Sequence, residues 1–295
     1  MTRDILGRMA ALAVLCATCA FIGGCATAPD SKAALSEMTT ELVSSLPAGL
    51  DADAALAVLG QAIADSPDNA MCWSNRATVF RDAKQDYPHA LADYNQAVAL
   101  APGFSQLYVN RGRLYELTGD PALAREDYSK AIDLSPKNTI AFCRRGDLDR
   151  ANHHDDSGIA DYTAAVSLDP RCAAAFFGRG MIYVRLGRYD LALEDLSKVI
   201  ELKPHDYAAY RERGLVYLDG KTDPAQALAD INRAIKADPD QPLAHADKAR
   251  ICEFLGRPGE ALAEYRKVIK LASSAPPETV ENARKRIAVL EDMTR

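Results

Sequence analysis

The chain has 295 residues, 48% hydrophobic and 26% charged, a balance typical of a folded soluble protein and not of a disordered or multi-span membrane chain. Its net charge is −6, from 35 lysines and arginines against 41 acids, which argues against nucleic acid as a partner because that footprint is usually basic. Five histidines and an odd seven cysteines offer few candidates for catalysis or metal binding.

Residues 1–24 read as an address. Arg3 and Arg8 against Asp4 open the chain with positive charge, and Met9 to Ile22 follow as fourteen uncharged residues. That run is too short to cross a bilayer core, which takes roughly 20 helical residues, and it fits the apolar region of a secretory signal peptide. It ends Ile22-Gly23-Gly24-Cys25 and turns polar at once with Ala26-Thr27-Ala28-Pro29-Asp30. An aliphatic residue, two small residues and a cysteine resemble the lipobox of bacterial lipoproteins. The resemblance implies cleavage after Gly24 and a lipid on the sulfur of Cys25, with residues 25–30 as a lipidated tether to a membrane. Ala26 in place of Asp implies, by the rule of that family, an outer-membrane anchor facing the periplasm. An ordinary signal peptide and a retained N-terminal anchor are the alternatives. Cys16 and Cys19 leave with the signal peptide. Cys72, Cys143, Cys172 and Cys252 share no close spacing, so no pairing follows, and most are expected as buried small apolar residues.

Beyond this address one pattern repeats. Prolines recur at Pro67, Pro102, Pro136, Pro170, Pro204 and Pro239, spaced 35, 34, 34, 34 and 35 residues apart. Aligned on them, Gly112, Gly146, Gly180 and Gly214 coincide, as do Phe80, Tyr115, Tyr183 and Tyr217, and then Ala90, Ala124, Ala192, Ala227 and Ala261. A period of this length with small and aromatic residues in register resembles the tetratricopeptide repeat. The clearest copy, 105–138, carries Tyr108, Gly112, Tyr115, Gly119, Ala124, Tyr128, Ala131 and Pro136. The resemblance implies an all-α superhelix, a right-handed solenoid of antiparallel helix pairs in which each unit contacts its neighbours. Six repeats occupy 70–104, 105–138, 139–172, 173–206, 207–241 and 242–275, preceded by a degenerate pair at 31–69. Residues 276–295 predict a capping helix, whose Val280, Ala283, Ile287 and Leu290 form one apolar stripe. The two 35-residue copies place their insertions around Gln85-Asp86-Tyr87-Pro88 and Lys221-Thr222-Asp223-Pro224, in the turn between the helices of a pair.

The seventh residue of each first helix is basic: Arg76, Arg111, Arg145, Arg179, Arg213 and Lys248. The second helix carries an acid in matching register, at Asp93, Asp127, Asp161, Asp195, Asp230 and Glu264. The pairing predicts a structural charge ladder between the two helices rather than a polyanion-binding stripe. In the family the first helices line a concave groove. There Phe177, Met181, Val184 and Leu215 form an apolar run, fit either for a partner helix or peptide or for tighter packing of the superhelix. Arg211, Arg113 and Asn110 are the polar groove candidates. Asn110 and Arg144 match positions of the family's chaperone-tail clamps, but Ser74, Thr78 and Ile140 stand where those clamps need Lys, Asn and Lys, so that activity is not implied.

The copy at 139–172 departs most, with Asp149 for the aromatic, His153 for the turn glycine and Gly158 for an alanine. His153-His154-Asp155-Asp156 holds metal-ligand residue types but lacks a second cluster, and it reads as a solvated turn. No nucleophile elbow, phosphate loop or paired-His helix is present, so no catalysis, cofactor or metal is expected. The expected function is a lipid-anchored periplasmic scaffold that binds other proteins in envelope assembly. Its alternative is a non-catalytic subunit that completes an envelope enzyme or a secretion or pilus machine.

Overall fold

A proline disfavours helix at the residue before it and cannot continue the hydrogen-bond ladder, so each periodic proline ends one helix and spaces the next. The computed structural model describes residues 52–293. Among these it shows fourteen α-helices, two π-helical turns and no strand. They are α1 (Ala52–Asp65), α2 (Ala70–Val79), α3 (Tyr87–Leu100), α4 (Ser105–Thr118), α5 (Pro121–Leu134), α6 (Thr139–Ala151) and α7 (Asp155–Leu168). Then come α8 (Ala173–Arg185), α9 (Tyr189–Leu202), α10 (Tyr207–Leu215), α11 (Pro224–Ala237), α12 (Pro242–Phe254), α13 (Pro258–Lys270) and α14 (Pro277–Met293). The predicted signal peptide, the tether with Cys25 and residues 31–51 of the degenerate pair lie outside the described residues. No helix among the described residues is long and apolar enough to cross a membrane.

The helices pack pairwise, α2 on α3, α4 on α5, α8 on α9, α10 on α11 and α12 on α13. They belong to two compact units, divided after Leu148. In the first unit Tyr94 is enclosed with Ala77, Ala90 and Leu114, and Tyr128 with Val109, Ala124 and Ala131. In the second, Leu196 packs with Ala192 and Val216, and Ile231 with Ala227 and Ile251. Burying an aliphatic side chain of this kind contributes about 1.5–3 kcal/mol. The small residues are what allow it. A Cβ on Gly112 would lie 2.7 Å from the ring of Tyr128, so the glycine is the floor on which that tyrosine rests. Gly178 receives the Tyr162 ring in the same way, at a position the repeat pattern did not single out.

The turns show where the longer repeats keep their extra residue. In the 34-residue copies the first helix ends on a residue of positive φ at the fifteenth position: Gly119, His153, Gly187 and Gly256, with φ of 83°, 59°, 67° and 68°. In the 35-residue copies that residue is the sixteenth, Gln85 at 54° and Thr222 at 52°. The additional residue lies within the helix, as π-helical turns at Phe80–Lys84 and Val216–Gly220. There the Gln85 and Lys221 N–H groups donate to Phe80 O and Val216 O, five residues back. The expected loop insertion is therefore a helical bulge. A single-turn π-bulge absorbs one residue without breaking the backbone hydrogen bonding.

Beyond α13 the chain folds back as α14, which buries Val280, Ala283 and Leu290, with Ile287 packed on the same cluster as Tyr265 and Val268. Arg286 pairs with Glu253 of α12, and Arg266 of α13 with Glu291 at 2.8 Å. The last repeat thus ends under an amphipathic lid with a polar outer face.

Candidate functional site

The helix pairs bring the basic seventh residues onto the acids of the second helices. Arg76 meets Asp93 through Nε at 2.7 Å and Nη2 at 2.9 Å, and Arg111 meets Asp127 at 2.8 and 2.7 Å. Arg179 meets Asp195 at 2.9 and 2.8 Å, and Arg213 meets Asp230 at 2.7 and 2.9 Å. Each is a bidentate fork with a buried carboxylate, the geometry in which an arginine is most selective. Arg145 belongs to the first unit, where it donates to Ser129 Oγ at 3.0 Å, and Asp161 is buried in the second.

A third partner was not evident from the repeat alignment. The remaining guanidinium nitrogen reaches back to the previous second helix: Arg111 Nη1 to Asn95 at 2.8 Å, Arg179 to Thr163 and Arg213 to Ser197, both at 3.0 Å. Asn95, Ser129, Thr163 and Ser197 each stand two residues after a ladder acid, a signal present in the sequence. Aromatic rings three residues before the arginine, such as Tyr108, Phe176 and Tyr210, stack on it at 5.7–5.9 Å. With charge and donors taken up, these arginines are structural.

The last rung is built differently. His245 replaces the aromatic, with Nδ1 2.7 Å from Glu264 Oε2 and Nε2 2.9 Å from Pro239 O. Lys248 and Lys267 reach Glu264 Oε1 at 3.1 and 3.0 Å. Burial acts to raise the Glu264 carboxyl, but bonds from His245, Lys267 and Lys248 hold it down to about 2.

The apolar groove candidates separate into two kinds. Phe177 packs on the buried clusters around Ala209 and Val216, and Val184 on the latter. Met181 and Leu215, each the ninth residue of its helix, are half-buried and belong to neither cluster. Arg211 donates to Asp247 at 2.7 Å and to Glu212 at 2.9 Å. One guanidinium thus serves two half-buried carboxylates. Burial holds both carboxyls above their ordinary values, and the buried Tyr207 hydroxyl nearby has no hydrogen-bond partner among the described residues.

In the first unit Asn110 belongs to a polar network. Its amide donates to Ser74 Oγ at 3.3 Å, Gln106 donates to its Oδ1 at 3.1 Å, and Arg81 reaches its carbonyl at 3.4 Å. Arg81 is 3% exposed, forked onto Asp82 at 2.6 and 2.7 Å and bonded to the Tyr94 hydroxyl at 3.0 Å. Arg113 is half-buried and makes no hydrogen bond or ion pair among the described residues, and the same is true of Arg144. Burial, then the charges of Arg81 and Arg144, hold the Arg113 guanidinium below its ordinary value.

At the departing copy, His153 occupies the left-handed turn position, and His154 Nδ1 lies 3.5 Å from the buried Asp149. No group of three His, Cys, Asp or Glu among the described residues could hold a metal. Cys72 and Cys252 are buried, and Cys143 and Cys172 half-buried.

Two models of the tetratricopeptide repeat match the chain, one at 173–206 and one at 48–103, 82–139 and 218–276. The chain belongs to the tetratricopeptide repeat family. The matched stretches leave out 140–172, the copy in which Asp149, His153 and Gly158 depart from the repeat. No curated protein matches this tetratricopeptide repeat chain. Among solved structures it is similar to YrrB, a TPR protein with an unusual peptide-binding site, at 26% identity and a TM-score of 0.53, over 64% of this chain and 97% of that one. A tetratricopeptide repeat protein from Parabacteroides merdae shares 20% identity at a TM-score of 0.61, over 86% of this chain and 98% of that one. Pseudomonas aeruginosa pilF shares 12% at 0.61, over 70% and 93%. At these last two identities the likeness is one of fold.

Proposed function

We propose that this chain is a membrane-anchored protein-interaction scaffold of the bacterial envelope, which holds a segment of a partner protein against the first helices of its repeats and does no chemistry. The observation that carries the binding reading is the pair Met181 and Leu215. They share one register on α8 and α10, stay partly open to water, and lie beside Phe177 and Val184, which already anchor the core. Half-exposed apolar side chains repeated on consecutive helices suit an apolar partner segment. YrrB, a similar structure with a peptide-binding site, supports the same reading. The anchoring reading rests on Ile22-Gly23-Gly24-Cys25 and Ala26: a lipid on Cys25, the outer membrane, and a periplasmic array serving envelope assembly.

The binding test replaces Met181 and Leu215 by Asp and measures partner capture after cross-linking in the native envelope. Loss of the captured partner with unchanged helical content supports the groove, and unchanged capture removes it. Phe177 is unsuited to this test because it also packs the core. Mass spectrometry of the mature N-terminus tests the anchor. A diacylated Cys25 is expected, and an intact Met1 would exclude it.

A further inference from the structure

We propose that the π-helical turn Val216–Gly220 is a positioning element of the partner-binding groove. Docked on α9 and α11, it holds Leu215 at a fixed spacing from Met181, so that the two apolar side chains stand ready for one partner segment. This rests on the partner-binding reading above and names Tyr189, Asp190, Gly220 and Lys221 as the residues that set the spacing.

The π-turn begins at the residue after Leu215 and is held from both sides. Toward α9, Val216 packs with Ala192 and Leu196, in the cluster that also takes Phe177 and Val184 of α8. The neighbours of Met181 and the neighbour of Leu215 therefore meet in one place. The Tyr189 ring lies against Gly220, where a Cβ would stand 2.6 Å from it. Lys221, which follows the turn, pairs with Asp190. Toward α11, Leu218 packs with Ala227 and Ile231.

The same contact occurs in the other 35-residue copy, within the first unit, which marks it as a device and not as drift of a turn. Lys84 and Lys221 are each the fifteenth residue of their copy, and Asp53 and Asp190 are the second residues of α1 and α9. Lys84 reaches Asp53 at 2.7 Å. In the shorter copies the fifteenth residue is the left-handed turn residue, Gly119, His153, Gly187 or Gly256, and offers no lysine. The π-turn also draws the twelfth residue inward. Arg81 and Leu218 are buried, whereas Glu116, Val184 and Glu253 at the same position of shorter copies are half-buried. An ion pair as exposed as Lys221 with Asp190 adds little stability. Its effect is to select one rotation of α10 on α9 among those the apolar contacts allow. A groove whose two anchors are already spaced spares the partner the cost of ordering them, and single-turn π-bulges are frequent at functional sites.

Spin labels on ketone-bearing residues at positions 181 and 215 of the full chain read the spacing by pulsed EPR and leave the native cysteines in place. One narrow distance is expected. Gly220→Ala should shift or broaden it by at least about 1.5 Å, the rise of one helical residue, because the methyl meets the Tyr189 ring. Adding Tyr189→Ala should restore it, since Ala83 and Ala52 hold these two positions in the first unit. Deletion of Lys221 should shift the distance as well, and deletion of Lys84 should leave it unchanged. An unchanged distance in Gly220→Ala, or no restoration by the second replacement, would overturn the device. Binding is read as the yield of the cross-linked species that the M181D/L215D variant loses in the native envelope. Gly220→Ala should lower that yield at least about threefold at unchanged helical content, with recovery in the double variant. A full yield alongside a shifted distance would overturn the positioning role and leave the groove standing. If M181D/L215D loses no cross-linked species, the groove reading fails and the positioning role fails with it.

Discussion

Arg111 and Asp127 are joined by two parallel hydrogen bonds of 2.8 and 2.7 Å, and the third nitrogen of the same guanidinium is bonded to Asn95 of the preceding repeat. One side chain therefore fixes the distance within its own helix pair and also the distance to the pair before it. In an array whose units touch only neighbours, such a clasp carries stability across each interface. Asp127 is 7% exposed at its side chain, so losing one partner leaves a nearly buried charge unmatched.

Asp127→Ala should destabilise the fold by about 3 kcal/mol, near the lower end for a broken buried pair because Arg111 is partly solvated. Asn95→Ala should cost about 1 kcal/mol, the net worth of one hydrogen bond to a charged group that water can partly replace. A double-mutant cycle on Arg111 and Asp127 in urea checks the coupling. Additive losses would show that the fork contributes nothing as a pair.

Gly112→Ala tests the close approach of α4 and α5. The new methyl would lie 2.7 Å from the Tyr128 ring, which is enclosed and also bonded to Glu116. Neither the ring nor the backbone can retreat freely, so a loss of about 1–3 kcal/mol is expected despite the better helix propensity of alanine. A melting temperature at or above that of the parent would show that the interface is soft.

Thr222→Gly should stabilise. Thr222 holds φ of 52°, where a β-branched side chain is strained, whereas the corresponding turns of other copies use Gly119, Gly187 and Gly256. The expected gain is about 1 kcal/mol, reduced by the extra freedom glycine brings to the unfolded chain. His153→Gly, at φ of 59° and without β-branching, should gain less. Thermal unfolding ranks the two.

Glu212→Gln gives a pH signature. Burial, with Asp247 as a second acid, keeps the Glu212 carboxyl above its ordinary value although Arg211 opposes this. A carboxyl that holds its proton more tightly when folded makes stability fall as pH rises through and above about 4.5, the ordinary value for glutamate. The glutamine variant cannot ionise, so at pH 7 it should be more stable by about 1 kcal/mol. The advantage should fade below pH 4.5. Glu264 runs the opposite way: held down to about 2, it contributes stability above about pH 4.5 that is lost as the pH falls toward 2. Stability curves of parent and variant from pH 3 to 8 distinguish the two groups.

Much of this was readable in the residues. The proline period located the helix pairs, and the matched signs at positions such as Arg179 and Asp195 pointed to ion pairs before any distance was known. The π-helical turns were not readable, since an extra residue costs the sequence only one position and either a loop or a helix can hold it. The third partners of the clasp were visible as polar residues but had no reason to stand out. Asn95, Ser129, Thr163 and Ser197 look like ordinary solvent-facing positions until the next repeat is placed against them.

By itself the sequence determined the repeat, its helix pairs, the small residues where helices meet and the sign of each rung, because these depend on local propensity and periodicity. Tertiary structure decided which charges are spent. Arg111, Arg113, Arg144 and Arg211 are alike as letters, but the first is forked onto Asp127 and the last is shared by two acids, while the middle two meet no acceptor among the described residues. Whether a charge is paired depends on what neighbouring helices deliver within hydrogen-bond reach, and no spacing along one helix contains that distance.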